Sequence, residues 1–207
     1  MSFKRNIIYK THKKIREAIS FHKKVLLWKL TGRPVPAPHA VKQMINKYYA
    51  AKFKPHVFIE TGTYMGEMID AVLDNFQKII SIEFDPKLAQ RAKNKFSSMS
   101  HVTILQGDSG KILPELLKGI KEPCLFWLDA HFSGGITAQA DSETPIIQEI
   151  KAIADHPCSD HVILIDDARE FIGNENYPTL EELRQVIQQR RKEWRMVVDA
   201  DIIRIHK

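Results

Sequence analysis

Short apolar runs alternate with amphipathic segments from residue 57 to residue 192, and this rhythm limits the fold more than any other feature. Residues 57–59, 78–82, 102–105, 124–128 and 161–165 read as strands. Runs so short and so apolar belong to strands buried on both faces. Between them, helical spacing predicts helices at 65–76, 86–96, 111–117, 145–154 and 179–192. Strands that alternate with helices make a parallel sheet covered on both sides. The stretch 196–205 reads as a tight hairpin, which adds antiparallel strands near one edge. The expectation is a doubly wound α/β fold with a mostly parallel, seven-stranded sheet.

The residues before 57 follow another rule. Residues 3–30 mix apolar and basic side chains at helical spacing, with Thr11 as a candidate cap. Ile7, Ile8, Ile15, Ile19, Val25, Leu26, Leu27 and Leu30 are the expected buried positions. Gly32, Pro34, Pro36 and Pro38 then break the helix. The expected division is a basic helical arm and linker over 1–38 and one domain over 39–207. A helix over 39–52 opens the domain, with Ala40, Met44, Ile45 and Tyr48 on one face.

The formal charge of +6 comes from the arm. Residues 1–30 hold nine Lys or Arg and one acid, Glu17, while the remainder is close to neutral. Such an arm suits nucleic acid, an anionic membrane surface, an acidic partner or a second subunit. A solvated helix face is the plain alternative. No apolar run reaches the roughly 18 to 20 residues of a membrane-spanning helix. No secretory signal is legible at the N-terminus, so the cytoplasm is the expected location. Cys124 and Cys158 are expected as free thiols rather than a disulfide framework.

In open α/β sheets, ligands bind beyond the carboxyl ends of the strands, where strand order reverses. The turn after the first strand is Glu60-Thr61-Gly62-Thr63-Tyr64-Met65-Gly66. Gly62 lets the backbone pass close to a ligand, and Gly66 lets the next helix start close to the strand. The middle glycine of a dinucleotide loop is missing, so a pyrophosphate fits poorly. The second strand ends at Glu83, at the roughly 20-residue spacing where an acid accepts from ribose hydroxyls. The third ends in Gln106-Gly107-Asp108-Ser109, where a carboxylate and an amide can meet adenine. Glu83 and Asp108 as ordinary polar loop residues are the plain reading.

At these residues the chain resembles the class I S-adenosylmethionine-dependent methyltransferases. Residues 57–66 match the first motif of that family, 81–85 the second and 107–109 the third, within a resemblance that runs from about 55 to 207. The resemblance implies a Rossmann-like sheet and S-adenosylmethionine as cofactor. It implies that Glu60, Gly62, Thr63, Tyr64 and Gly66 hold the methionine part, that Glu83 holds the ribose, and that Asp108 and Ser109 face the adenine. The chain departs from the family at Thr63-Tyr64-Met65, where many members carry another glycine.

The fourth strand ends in Leu128-Asp129-Ala130-His131, and the fifth in Ile165-Asp166-Asp167. On neighbouring parallel strands these tips sit side by side. Crowded carboxylates repel unless a cation or a proton intervenes, and a hard ion such as Mg²⁺ suits an all-oxygen site. Asp129, Asp166 and Asp167 are the candidate metal ligands. Asp129 is also a candidate cofactor contact, and Asp129, His131 and Asp166 are the candidate catalytic groups. The pattern resembles the metal-dependent sugar O-methyltransferases of the macrocin type, in macrolide and aminocoumarin biosynthesis. Without a metal, Asp129 hydrogen-bonds the cofactor or the loop, Asp166 and Asp167 cap the next turn, and His131 is a structural loop histidine. The loop 132–144 suits a substrate lid or a plain surface loop. His39, Lys42, Gln43 and Tyr177 are candidate acceptor contacts, with Arg169 beside them.

The functional expectation is O-methylation of a small hydroxylated acceptor, a sugar or glycoconjugate, assisted by a divalent metal. Three other readings stay open. One is a nicotinamide-dependent oxidoreductase on a similar sheet. Another is a nucleic-acid methyltransferase or binder, disfavoured because no Asn-Pro-Pro-Tyr-type run follows the fourth strand. The third is a non-enzymatic protein that keeps the fold with a dead site, against which Asp129, Asp166 and Asp167 argue.

Overall fold

A computed structural model of the chain describes residue 16 and residues 18–129, 145–174 and 177–207. Residues 18–30 form helix α1. There follow α2 (His39–Phe53), β1 (Val57–Thr61), α3 (Glu67–Val72), β2 (Lys78–Glu83), α4 (Pro86–Lys95), β3 (Val102–Gln106), α5 (Ser109–Leu117) and β4 (Cys124–Leu128). The rest is α6 (Pro145–Asp155), β5 (Val162–Ile165), α7 (Leu180–Arg190), β6 (Arg195–Asp199) and β7 (Ile202–His206).

The strands make one seven-stranded sheet in the order β3-β2-β1-β4-β5-β7-β6. β1 to β5 are parallel, and β7 runs antiparallel to both β5 and β6. The doubly wound sheet and its terminal hairpin are thus as the sequence predicts. β1, β4 and β5 are buried at every residue, as the apolar runs require. At the sheet's two edges, β3 buries only Ile104 and β6 only Met196, because an outermost strand has a neighbour on one side alone.

Local chemistry sets the helix ends. Asp85 caps α4 by accepting from the amides of Lys87 and Leu88, with Pro86 at the first helical position. Asp108 caps α5 through the Gly110 amide, so that helix opens at Ser109 rather than at 111. Thr179 and Glu182 form a reciprocal capping box at the start of α7. The helix expected over 65–76 is shorter than predicted: Gly66 adopts a left-handed φ of 68° before it, and a 3-10 turn at Leu73–Asn75 replaces its end.

Two core layers cover the sheet. One packs Leu113 and Leu117 of α5, Ile146, Ile150 and Ile153 of α6, and Leu183 and Ile187 of α7 against one face. The other packs α1 to α4 against the opposite face, with Val25, Trp28, Val41 and Ile69 among its members.

The arm departs from expectation. Of the predicted buried positions that are described, only Val25 is buried; Ile19, Leu26, Leu27 and Leu30 face outward. Trp28 takes the inner place, its indole donating to the Pro34 carbonyl at 2.8 Å. Ile7, Ile8, Thr11 and Ile15 lie outside the described residues. On α2 the buried face centres on Val41, Ile45, Tyr49 and Ala50, and Tyr48 is exposed. No helix among the described residues is long and apolar enough to cross a membrane.

Candidate active site

Strand order reverses around β1 and β4, and in open α/β sheets the carboxyl ends of strands at such a point are where ligands bind. The predicted residues fall along this edge in two groups.

The first group spans β1, β2 and the start of α5. After β1 the chain turns through Gly62, at φ 87°, and Tyr64, at φ 47°. A tyrosine in the left-handed region is strained. It lies in the Thr63-Tyr64-Met65 stretch where the resembling family often carries another glycine, and its backbone amide donates to the Glu83 carboxylate at 2.7 Å. The second Glu83 oxygen accepts from the Asp85 amide at 3.0 Å. Both oxygens keep a further lone pair for a ligand hydroxyl. Gly66 is indispensable in shape: a Cβ there would lie 2.7 Å from the Phe96 ring.

Beneath the loop, Glu60 is buried and accepts from the Ser81 hydroxyl at 2.5 Å, and Ser81 shares a 2.6 Å hydrogen bond with Thr63. Burial pushes the Glu60 carboxyl well above the ordinary range, against the Ser81 bond. Asp108 is spent in part as the α5 cap, with Lys111 3.6 Å away.

The second group spans the ends of β4 and β5. The Asp129 amide donates to the Thr61 carbonyl, and the Asp166 amide to the Leu128 carbonyl. These bonds extend the sheet and bring three acids together. One carboxylate oxygen from each of Asp129, Asp166 and Asp167 lies within 4.8 Å of the others.

A cation from far away in the chain meets them. Lys42, on the first turn of α2, bonds Asp166 and lies 3.6 Å from Asp167. Burial draws the Lys42 pKa down, but Asp166, Asp167 and Asp129 outweigh it and the pKa is raised. On the other side Arg169 bridges Asp167, at 2.6 Å, and Asp201. Even so the cluster holds more acid than base. Burial and the charge of Asp166 push the Asp129 carboxyl up to about 8.

The remaining candidates distribute as follows. His39 stands 3.5 Å from Glu67, and Gln43 donates to the Glu67 carbonyl at 3.1 Å. Both tie α2 to the start of α3, beside the turn after β1, rather than reaching the acid cluster. Burial lowers the His39 pKa, so the ring is neutral at pH 7. Tyr177 stacks at an angle on Phe171, with ring centroids 5.1 Å apart. Burial, with Asp167 and Asp129 next, raises its phenol to about 12. His131 and the loop 132–144 lie outside the described residues.

Sequence reasoning missed Glu149. It lies fully buried on α6, facing the Ser109 and Thr61 hydroxyls. Among the described residues no hydrogen bond of ordinary geometry reaches either of its oxygens. Burial lifts its pKa to about 7. The signal was present: Ile146, Glu149, Ile150 and Ile153 share one helical face, and an acid within an apolar stripe is out of place. The linker and the hairpin turn carry a further ion cluster, with Arg33 and Arg204 both on Asp199. Beside it, between α1, α2 and the hairpin, lies a cavity of about 480 Å³ lined by Trp28, Met44, Ile45 and Tyr48, bordered by none of the predicted site residues.

Neither a protein-family description nor a curated protein matches the sequence. Solved structures do. The chain is similar to the Podospora anserina methyltransferase PaMTH1 bound to SAH, at 17% identity and a TM-score of 0.55, over 94% of this chain and 95% of that one. It is similar to an O-methyltransferase from Bacillus cereus in complex with SAH, at 14% identity and a TM-score of 0.58, over 90% of each chain. It is also similar to the O-methyltransferase TomG from Streptomyces achromogenes, bound to SAM and involved in tomaymycin synthesis, at 14% identity and a TM-score of 0.57, over 89% of this chain and 87% of that one. At such identities the likeness speaks for the fold: a Rossmann-like sheet of the methyltransferase type.

Proposed function

We propose that the chain is an S-adenosylmethionine-dependent methyltransferase that acts on a hydroxyl of a small acceptor, such as a sugar or glycoconjugate. One observation carries the reading: Glu60, Glu83 and Asp108 stand at successive strand ends around a left-handed glycine loop. The SAH- and SAM-bound relatives of the same fold support the choice of cofactor. A cytoplasmic location accords with it.

Each residue has a task in this reading. Glu83, fixed by two backbone amides, accepts from the ribose hydroxyls. Asp108 and the Ser109 amide meet the adenine. The Gly62–Gly66 loop and Glu60 hold the methionine end, whose ammonium draws the proton off Glu60. The bound cofactor supplies an electrophilic methyl group on a sulfonium. Asp129 takes the acceptor's hydroxyl proton; a carboxyl titrating near 8 is matched to that task at neutral pH. Lys42 and Asp166 hold Asp129's surroundings fixed, and alignment supplies much of the rate. Tyr177 borders the acceptor.

A divalent ion is the second reading, carried by the three oxygens within 4.8 Å. Asp129, Asp166 and Asp167 would hold it, and oxygen donors suit Mg²⁺. Such an ion would lower the pKa of a bound hydroxyl. Lys42 already stands among these donors, so the ammonium has to give way when the ion enters. The test for the cofactor is calorimetric titration with S-adenosylhomocysteine. Binding that Glu83→Ala weakens at least about tenfold, the loss of a charge-assisted hydrogen-bond pair, is the expected result. Absence of binding, with thermal stabilisation by a nicotinamide cofactor instead, overturns it.

A further inference from the structure

Helix α1 has two apolar faces. Val25 and Trp28 turn inward onto the core, with Phe21 partly covered beside them. Ile19, Leu26, Leu27 and Leu30 turn outward and are 63%, 58%, 57% and 75% exposed. At 3.6 residues per turn, Ile19, Leu26 and Leu30 form one straight stripe, opposite Trp28, with Leu27 at its side. Four large aliphatic side chains in water on one helix face are unusual and mark a surface that is covered in use.

The charges around the stripe identify the cover. Lys23, Lys24 and Lys29 lie on the same helix and are exposed. The arm's nine Lys or Arg against one acid continue the same sign. A second copy packed stripe to stripe would set these lysines against their own kind. An RNA strand would satisfy the lysines and leave the leucines in water. An anionic bilayer surface answers both: leucines enter the boundary between headgroups and acyl chains, and the lysine stems reach back to the phosphates.

We propose that α1 lies in the plane of an anionic membrane through Ile19, Leu26, Leu27 and Leu30, with Lys23, Lys24 and Lys29 on the headgroups. The body hangs from its other face through Val25 and Trp28. Arg33 clasps Asp199 of the hairpin turn just beyond the helix, so the arm's attachment is fixed and the helix carries the body with it.

The experiment is co-sedimentation of the full chain with phosphatidylcholine vesicles, with and without phosphatidylglycerol. The wild type is expected to pellet with the anionic vesicles and much less with the neutral ones. Leu26→Glu with Leu30→Glu, and separately Lys23→Glu with Lys24→Glu, each lower the partition about tenfold or more. Both pairs are exposed, so unchanged melting temperatures serve as the folding control. Three results overturn the proposal. One is no partition of the wild type. Another is binding lost only in the lysine pair, the signature of a purely electrostatic partner such as RNA. The third is a wild-type dimer that Leu26→Glu turns into a monomer. S-adenosylhomocysteine titration of the same variants is independent of all three, so the membrane and cofactor readings fail separately.

Discussion

Glu83 ends one buried parallel strand and Asp166 follows another, yet they are held in different ways. Glu83 accepts from two backbone amides of its own neighbourhood, Tyr64 and Asp85. Asp166 also accepts from the next backbone amide, but its charge is met by Lys42, 124 positions away in sequence. The same contrast separates the two halves of the site. On the β1–β3 side, amides and hydroxyls hold each acid individually. On the β4–β5 side, three acids crowd together and rely on Lys42 and Arg169. In the proposed function the first half offers fixed carboxylate acceptors to ligand hydroxyls. In the second, the crowded acids supply the setting that the proposed proton acceptor or cation site requires.

The comparison can be broken most sharply at Lys42. Lys42→Met leaves Asp166 without its counter-charge and should cost roughly 3–5 kcal/mol in urea denaturation. A cost under about 1 kcal/mol would mean that the cluster neutralises itself by protonation alone.

Glu149 offers a test with a sign. Its folded pKa, about 7, lies above the unfolded value near 4.5. The folded state therefore holds the proton longer, and this group's contribution to stability falls as pH rises from about 4.5 to 7. Glu149→Gln removes that fall. Relative to wild type the variant should gain up to roughly 3 kcal/mol between pH 5 and pH 8. Parallel pH–stability curves would show that the wild-type carboxyl is not the titrating group.

Gly66→Ala tests the backbone geometry of the β1–β3 half. Its left-handed φ and the Phe96 ring oppose a Cβ, and a loss of about 1–3 kcal/mol is expected in thermal unfolding. The smallest effect belongs to Asp85→Ala, which removes the α4 cap beside Glu83 at about 1 kcal/mol. If it instead abolishes S-adenosylhomocysteine binding, the Asp85 side chain belongs to the site and not only to the helix.

The same contrast explains what could be read in the sequence. The strands were legible because runs such as Cys124–Leu128 are apolar at every position, and the strand-end acids followed from them. Glu60, Glu83 and Asp108 are held by near neighbours or short motifs, so spacing alone made them candidates. The sequence made Lys42 a candidate acceptor contact but not the partner of Asp166, because no local pattern links α2 to the end of β5. Ile19, Leu26, Leu27 and Leu30 had the right spacing for a helix and the wrong sense of burial. Periodicity finds an apolar face but does not say which of two faces the protein itself covers, and Trp28 settled that.

The hairpin carries a consequence for how the chain is made. β7 is inserted between β5 and β6 rather than added at the rim. Its two-residue turn, Ala200 and Asp201, has φ of 55° and 62°, as a twisted hairpin requires. Asp201 then grips Arg169 and accepts from its amide at 2.9 Å. On a translating ribosome the strands of the β1–β3 side are complete once β3 has emerged. Arg169 cannot take up its Asp201 anchor until the hairpin follows, nearly a hundred residues later by strand position. A nascent chain stalled after Arg169 and before the hairpin would carry that arginine without its Asp201 anchor, so the β4–β5 half of the candidate site is the last to be completed.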